Sequence, residues 1–265
     1  MITELHYSNT NTYLISGKKG NLLWDTGWAG TFPLFCRALG EQKQKLQDIR
    51  CLLISHFHPD HMGIAQDIAD AGVTIAAADV QRDFLHVPDA VFARERTPFQ
   101  PIRDEAVRVI PLTDSKAFLR EFGIRGELLH TPGHSEDSIS LWLEKERALF
   151  VGDLNPLYEL DMHKGTQIAE TWEMLLALKP KRVYYGHART ADLDRTFYQI
   201  HDAGDDRYLL VQTIMKLTDK GCPVEDIQAK TGADLVFIQD AVRMYLTHRN
   251  VSVQGILDRI EIKGR

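Results

Sequence analysis

The chain has 265 residues, of which 44% are hydrophobic and 26% are charged, and its formal net charge is -6. This composition is ordinary for a folded globular protein and argues against disorder. The acidic balance argues against a general polyanion binder but does not exclude a local basic patch. Cys36, Cys51 and Cys222 are far apart and odd in number, so we expect no disulfide framework and a reducing compartment.

The first residues lack a basic region followed by an apolar run, so we expect no secretory leader. No stretch approaches the roughly 18 uninterrupted apolar residues that a membrane-spanning helix needs. We therefore expect a cytoplasmic protein without a membrane partner.

Short apolar runs alternate with segments of helical spacing, which indicates a mixed α/β architecture. We interpret residues 80–125, with their scattered Phe, Arg and Pro, as an irregular insertion or lid followed by one strand and a polar turn. The predicted strands are residues 8–16, 21–27, 50–54, 73–77, 107–110, 126–131, 138–143, 147–153 and 181–187. The predicted helices are residues 31–49, 64–69, 170–178, 205–220, 224–232 and 233–246.

The segment His56–His61, His-Phe-His-Pro-Asp-His, carries the strongest functional signal. Its three imidazoles and one carboxylate lie between a buried strand and a helix, and such ligands suit zinc, iron or manganese. Four other strands also end in a carboxylate or a histidine, and functional groups collect where rigid strands meet loops. These strand-terminal residues are Asp25, His134, Asp153 and His187.

These motifs, in this order, resemble those of the metallo-β-lactamase superfamily, and the resemblance covers roughly residues 1–190. It implies an α/β fold, the four-layer αβ/βα sandwich with two sheets inside and helices outside. It also implies a site for two divalent metal ions at the edge of that sandwich. Zinc is the first expectation, and iron or manganese are the alternatives.

The resemblance further implies a place for each motif residue. Asp25 would orient the site from behind, and Asp60 would also be a candidate catalytic residue that assists proton transfer. The implied ligands are His56, His58 and His134 for the first metal, Asp60, His61 and His187 for the second, and Asp153 as the bridge.

A water molecule shared by two divalent cations loses a proton near neutral pH and becomes a nucleophile. We therefore expect a dinuclear metal-dependent hydrolase in which metal-bound hydroxide attacks a small-molecule ester, thioester or lactone. His58 stands where the di-iron redox branch of the superfamily usually has an acidic residue, which favours hydrolysis. The segment Tyr184–His187 is similar to that of the hydroxyacylglutathione hydrolases.

Five further residues are candidates for contact with a substrate. Arg94 and Arg96 suit bidentate recognition of an anion, or they belong to a solvated surface. Tyr158 and His163 follow the Asp153 strand, where they either reach the pocket or are ordinary loop residues. Phe57 lies inside the ligand motif itself.

We divide the chain into a hydrolase domain, residues 1–202, and a mainly helical domain, residues 203–265. Helix, glycine and helix over residues 224–246 resemble a helix-turn-helix or winged-helix module, although carboxylates on the second helix oppose phosphate approach. The structural alternative is a small domain that packs on the hydrolase, shapes its pocket or forms a homodimer. The candidate nucleic-acid contacts are Arg243, His248, Arg249, Arg259, Lys263 and Arg265.

Two other functions follow from this tail. One is a metal-dependent nuclease whose C-terminal domain contacts nucleic acid. The other is a non-enzymatic nucleic-acid-binding or oligomerising module with a metal-sensing domain. We expect a small-molecule substrate and disfavour nucleic acid as the partner.

Overall fold

A computed structural model describes residues 1–193, 195–202, 207–248 and 251–263. The chain forms two compact units, Met1–Leu154 with Tyr184–Arg189 and Asn155–Val183 with Thr190–Arg265. The predicted boundary after residue 202 borders residues outside the described part, so it stays a prediction. Among the described helices, none is long and apolar enough to cross a membrane.

The first unit contains a six-stranded sheet in which the strands follow one another in chain order. Two antiparallel pairings open the sheet, and the remaining three pairings are parallel. The predicted hairpin is confirmed, with Gly17 paired to Gly20 at its turn. The strands are β1 (Ile2–Leu5), β2 (Thr12–Gly17), β3 (Gly20–Trp24), β4 (Ile49–Leu53), β5 (Thr74–Ala78) and β6 (Val107–Ile110).

Three antiparallel strands of a second sheet also belong to this unit. They are β7 (Gly126–His130), β8 (Ile139–Leu143) and β9 (Ala148–Phe150), with β8 in the middle. The segment Tyr184–Arg189 runs beside the end of β9, because Gly186 N donates a hydrogen bond to Gly152 O at 2.7 Å. This pairing brings the end of that segment next to Asp153.

Alternation along the strands explains the layers of the first unit. Leu22 and Trp24 of β3 pack in one cluster with Leu141 of β8, so the two sheets bury their facing sides against each other. Leu23, the residue between them, packs in a second cluster with Phe35 and other helical residues. Successive side chains of β3 therefore point to opposite faces of the first sheet, and apolar residues cover both faces.

The helices of the first unit follow the strands that they connect. Residues 80–125 are more regular than predicted, because they contain a 3-10 segment (Asp79–Phe84) and two helices besides β6. The prolines concealed the first of these helices: Pro88 stands in its first turn, where proline is tolerated. The helices are α1 (Phe32–Glu41), α2 (Pro59–Met62), α3 (Ala65–Asp70), α4 (Val87–Glu95) and α5 (Ser115–Glu121).

The described residues of the second unit are mainly helical. They include β11 (Ala191–Asp192), which pairs antiparallel with β10 (Arg182–Tyr184), a strand whose last residue belongs to the first unit. A 3-10 segment, Leu157–His163, precedes the helices of the second unit. An apolar cluster that includes Val211, Ile227 and Ile238 holds the last four helices together. The helices are α6 (Gln167–Ala177), α7 (Arg195–Asp202), α8 (Arg207–Asp219), α9 (Val224–Thr231), α10 (Leu235–Thr247) and α11 (Val253–Lys263).

The predicted succession of helix, glycine and helix is confirmed. Gly232 follows α9 with a left-handed φ of 67°, which glycine adopts at no steric cost. Asp234 then caps α10, since its carboxylate accepts a hydrogen bond from Phe237 N at 2.9 Å. Of the predicted nucleic-acid contacts, Arg249, Arg265 and the side chain of Lys263 lie outside the described residues.

The Asp234→Ala variant removes this acceptor and leaves an N–H group at the start of α10 without a partner. We expect its free energy of unfolding to fall by about 1 kcal/mol. Asp234→Ser retains an acceptor and serves as the matched control, which we expect to stay close to the wild type. Urea denaturation followed by circular dichroism measures both, and equal stability of the two variants would contradict the capping role.

Candidate metal centre

The ligand-rich segment connects β4 to α2, a single helical turn that begins at Pro59. Proline is common at this first helical position, because a backbone N–H group there would have no partner within the helix. His58 precedes the turn in an extended conformation, while Asp60 and His61 lie within the turn. His61 is consequently buried and Asp60 is partly exposed.

The structure brings all seven predicted ligands together. They form three overlapping groups, and the ligand atoms within each group lie within 4.8 Å of one another. Residues from α2 and from loops of both sheets converge here, although up to 131 positions separate them in the chain (His187 minus His56). The groups are His56, His58 and His134; His56, His61 and Asp153; and Asp60, His61 and His187.

The three-histidine group is tight. His58 Nδ1 lies 3.1 Å from His134 Nε2. Asp153 Oδ2 lies 3.9 Å from His56 Nε2 and 3.7 Å from His134 Nε2. The carboxylate of Asp153, which belongs to the group with His56 and His61, therefore also lies beside the three-histidine group.

The other end of the site is built around His187. Its Nε2 lies 2.9 Å from Asp60 Oδ2 and 3.3 Å from Asp153 Oδ2. His61 Nε2 lies 3.1 Å from Asp153 Oδ1. Asp153 thus stands between the two ends, as expected of a bridging ligand.

Three of these atoms are buried without a hydrogen bond to any described residue: His56 Nε2, His61 Nε2 and Asp153 Oδ1. His61 Nε2 and Asp153 Oδ1 lie 3.1 Å apart, but they are not oriented for a hydrogen bond. Buried polar atoms without partners are rare in folded proteins and call for an explanation. A metal ion supplies one, because imidazole nitrogens and carboxylate oxygens are its natural ligands. The residues present therefore fit the predicted divalent metals.

Asp25 contacts the ligand-rich segment on the side that faces away from the site. It is fully buried, its Oδ1 accepts a hydrogen bond from Ser55 N at 2.6 Å, and its Oδ2 lies 3.0 Å from His61 Nδ1. This contact fixes which nitrogen of His61 faces the site, a common arrangement behind ligand histidines. Asp25 has a left-handed φ of 60°, which aspartate tolerates better than most residues.

Sequence reasoning missed several neighbours that orient the ligands. Ser55 Oγ lies 3.0 Å from His56 Nδ1, and Thr10 Oγ1 donates to Asp60 O at 2.7 Å. His187 Nδ1 lies 3.0 Å from Asn9 O, which directs its Nε2 into the site. The only signal in the sequence was the position of Ser55, directly before the ligand motif.

Gly186 of the final Gly-His motif is required by packing. A Cβ atom at this position would lie 2.3 Å from Asp153 Oδ1 and 2.7 Å from His61 Cε1. Either distance is far below van der Waals contact. The chain therefore passes directly against two ligands, and only glycine permits this approach.

Burial lowers the pKa of His56 well below its usual value, and it lowers the pKa of His134 as well. Burial also opposes protonation of His61, but the carboxylates of Asp25 and Asp153 raise its pKa to about 10. Hydrogen bonding to Asp153 and Asp60 raises the pKa of His187 to about 10. Protons would therefore compete with any metal ion for His61 and His187.

None of the five predicted substrate contacts belongs to the three groups. The ring of Phe57 is 2% exposed and packs in the core, which does not support its predicted contact with a substrate. Arg94 and Arg96 are exposed at the end of α4. Tyr158 and His163 lie on the 3-10 segment of the second unit.

A sequence profile of the metallo-beta-lactamase superfamily matches residues 7–187. The chain belongs to this superfamily. The match spans more than half of the chain and contains every predicted ligand of the site, as well as Asp25.

Relatives within the superfamily include the beta-lactamase-like protein 2 homologue of Drosophila melanogaster. It is 27% identical over 269 residues, which cover 97% of this chain and 83% of the fly protein. The Caenorhabditis elegans homologue is 27% identical, and the alignment covers 69% of this chain but 57% of that protein. The atrochrysone carboxyl ACP thioesterase of Aspergillus fumigatus is 30% identical over 54% of this chain and 29% of that protein.

Solved structures of the superfamily share the fold. A metallo-beta-lactamase family protein from Thermus thermophilus has a TM-score of 0.54 at 20% identity, covering 93% of this chain and 92% of that chain. A B3 metallo-beta-lactamase has a TM-score of 0.56 at 22% identity, covering 72% and 94%. A protein solved in a di-iron-bound form has a TM-score of 0.54 at 22% identity, covering 72% and 94%. The predicted αβ/βα fold is confirmed.

The Asp25→Ala variant removes the acceptor shared by Ser55 N and His61. We expect the metal-free protein to lose about 3 to 5 kcal/mol of unfolding free energy, because one partner of a buried pair disappears. Asparagine tolerates the same backbone conformation and keeps one side-chain oxygen as an acceptor, so Asp25→Asn should lose less unfolding free energy. Urea denaturation in the presence of a chelator measures the difference, and an equal loss in both variants would contradict this role.

Proposed function

We propose that this chain is a hydrolase that depends on two divalent metal ions and acts on a small-molecule ester, thioester or lactone. The observation that carries the proposal is the convergence of seven candidate ligand residues, of which His56, His61 and Asp153 each have a buried atom without a hydrogen bond to any described residue. Zinc is the proposed metal, and iron is the alternative, since one structural neighbour was solved with two irons. The cytoplasmic location predicted from the sequence stays a prediction.

In this proposal, the three-histidine group would hold one ion, Asp60, His61 and His187 would hold the other, and Asp153 would contact both. When bound, the ions would polarise the scissile carbonyl group and activate water at neutral pH. Burial of His56 and His134 keeps both imidazoles neutral, which leaves their lone pairs available to a cation.

Asp60 is the carboxylate to which we assign proton transfer. Its side chain is 18% exposed, compared with 12% for Asp153, so it offers the more accessible oxygens of the two. The hydrogen bond from Thr10 to the backbone of Asp60 and the contact with His187 hold it in place. Burial disfavours the ionised form, but hydrogen bonding to His187 keeps the pKa of Asp60 below its usual value.

Thioesters are the first substrate class to test. The Aspergillus relative is an acyl-carrier-protein thioesterase, and its similarity covers 54% of this chain. A thioester also lacks much of the resonance stabilisation of an amide or an ester, so attack at its carbonyl demands less of the site. Lactones and oxygen esters need the same arrangement of ligands and carbonyl group.

The test combines metal analysis with turnover. We expect two divalent ions per chain, loss of thioester hydrolysis on chelation and its return with zinc. His134→Ala and Asp60→Ala should each reduce turnover by at least about 100-fold, the upper end of losses known for residues that only support ligands. His6→Ala, an exposed histidine of the same unit, is the matched control and should leave turnover unchanged.

Undiminished turnover in Asp60→Ala would refute the second metal group. Hydrolysis of phosphodiesters, but not of thioesters, esters or lactones, would replace this proposal with the nuclease. Mobility-shift assays at stated salt concentrations, with the full chain, then decide whether nucleic acid binds at all.

Gly186→Ala tests the close packing at the bridging carboxylate. The added methyl group displaces Asp153 or His61, so we expect weaker binding of metal and a large loss of turnover. Gly40→Ala is the matched control, because a Cβ atom at that helical position meets nothing within 4 Å. Metal content after dialysis and thioester turnover are the measurements; wild-type values in Gly186→Ala would contradict the proposed place of Asp153.

A further inference from the structure

Two buried polar side chains outside the ligand set, Gln81 and Asp137, connect the two loops that carry the three-histidine group. His56 and His58 follow β4 of the first sheet, whereas His134 lies between β7 and β8 of the second sheet. Nothing in the local sequence fixes the spacing of these loops. We infer that Gln81 and Asp137 are positioning residues that set this spacing and thereby the metal affinity of the three-histidine group.

Gln81 occupies the 3-10 segment after β5 and is 0% exposed. Its Nε2 lies 3.0 Å from Ile54 O and 3.2 Å from both Ser55 O and Asp137 O, so its two hydrogens are shared among three carbonyl groups. Its Oε1 accepts a hydrogen bond from Ala78 N at 3.0 Å. The amide therefore faces the end of β4 and the loop of His134 at once, and rotation by half a turn would set its oxygen against three carbonyl oxygens.

Asp137 completes the connection and is 2% exposed. Its Oδ2 accepts a hydrogen bond from Phe57 N, between His56 and His58, at 2.7 Å. Two residues further on, Ile139 N donates to Ser55 O at 2.8 Å. Ser55 O and Phe57 N are thereby bonded directly to residues 137–139, which follow His134, and Ile54 O is linked to Asp137 through Gln81.

The opposite end of the site has different supports. Asp25 holds His61, Thr10 holds Asp60, and the backbone of Asn9 holds His187. Neither Gln81 nor Asp137 makes a described hydrogen bond to these groups. Loss of the hydrogen bonds of Gln81 and Asp137 should therefore lower the metal affinity of the three-histidine group alone. This inference rests on the proposed metal site.

The experiment measures the affinities of both ions in the full chain, by Co²⁺ titration and by competition between Zn²⁺ and a chelator. Gln81→Met keeps the size of the side chain and removes its hydrogen bonds. We expect it to weaken one of the two affinities by about 10- to 100-fold, as for other residues that support ligands, and to leave the other unchanged.

Gln66→Met is the matched control. Gln66 is also a buried glutamine of this unit, 1% exposed, and its Oε1 accepts from Arg103 N at 2.8 Å, but it bonds to neither loop. It should leave both affinities unchanged. Equal affinities in Gln81→Met and wild type, or equal weakening in both Met variants, would overturn the inference.

A second pair of variants decides the matter if Gln81→Met fails to fold. Asp137→Ala removes the acceptor of Phe57 N and should weaken the same ion by a similar factor, whereas Asp137→Asn retains an oxygen and should restore its affinity. Identical affinities in Asp137→Ala and wild type would refute the role. A wild-type chain that binds neither Co²⁺ nor Zn²⁺ refutes the proposed function instead, so the two failures are distinguishable.

Discussion

The site depends on holding polar atoms from the loops of two different sheets together, within 4.8 Å of one another in each group of three, although several of them are buried. Imidazoles and carboxylates removed from water are costly unless each finds a partner. The protein provides partners for the outward-facing atoms of the ligands, through Asp25, Ser55 and the backbone of Asn9. The inward-facing atoms of His56, His61 and Asp153 are left to each other, and a cation is the partner that suits them all.

This arrangement links metal binding to the stability of the first unit. A metal that binds only the folded chain stabilises it by mass action. Two glycines allow the backbone to pass close to the ligands and to Ser55. Gly186 lets the backbone pass against Asp153, and Gly152 has a left-handed φ of 55° with no room for a Cβ beside Ser55. The fold therefore contributes backbone clearance as well as ligands.

The second unit has its own apolar cluster, which includes residues from its last four helices. Helix α10, where a nucleic-acid reader would contact bases, carries one cationic side chain, Arg243. Arg243 is paired with Asp240 at 2.6 Å, and Tyr245 donates to Asp219 at 2.7 Å. A nucleic-acid partner and a homodimer stay predictions.

The sequence alone determined the ligand motif, most of the strands and, through the family resemblance, the remaining ligands. Those features are local, because a strand, a turn and a histidine spacing are each encoded within a few residues. Only the tertiary structure revealed the helix α4 within a proline-rich segment and the roles of Gln81 and Asp137, whose bonds to the two ligand loops span 26 to 80 positions. No periodicity links such distant residues, so their pairing is decided by how the two sheets pack. The segment His56–His61 supplies four of the seven candidate ligands, and the packing behind it decides how they are held.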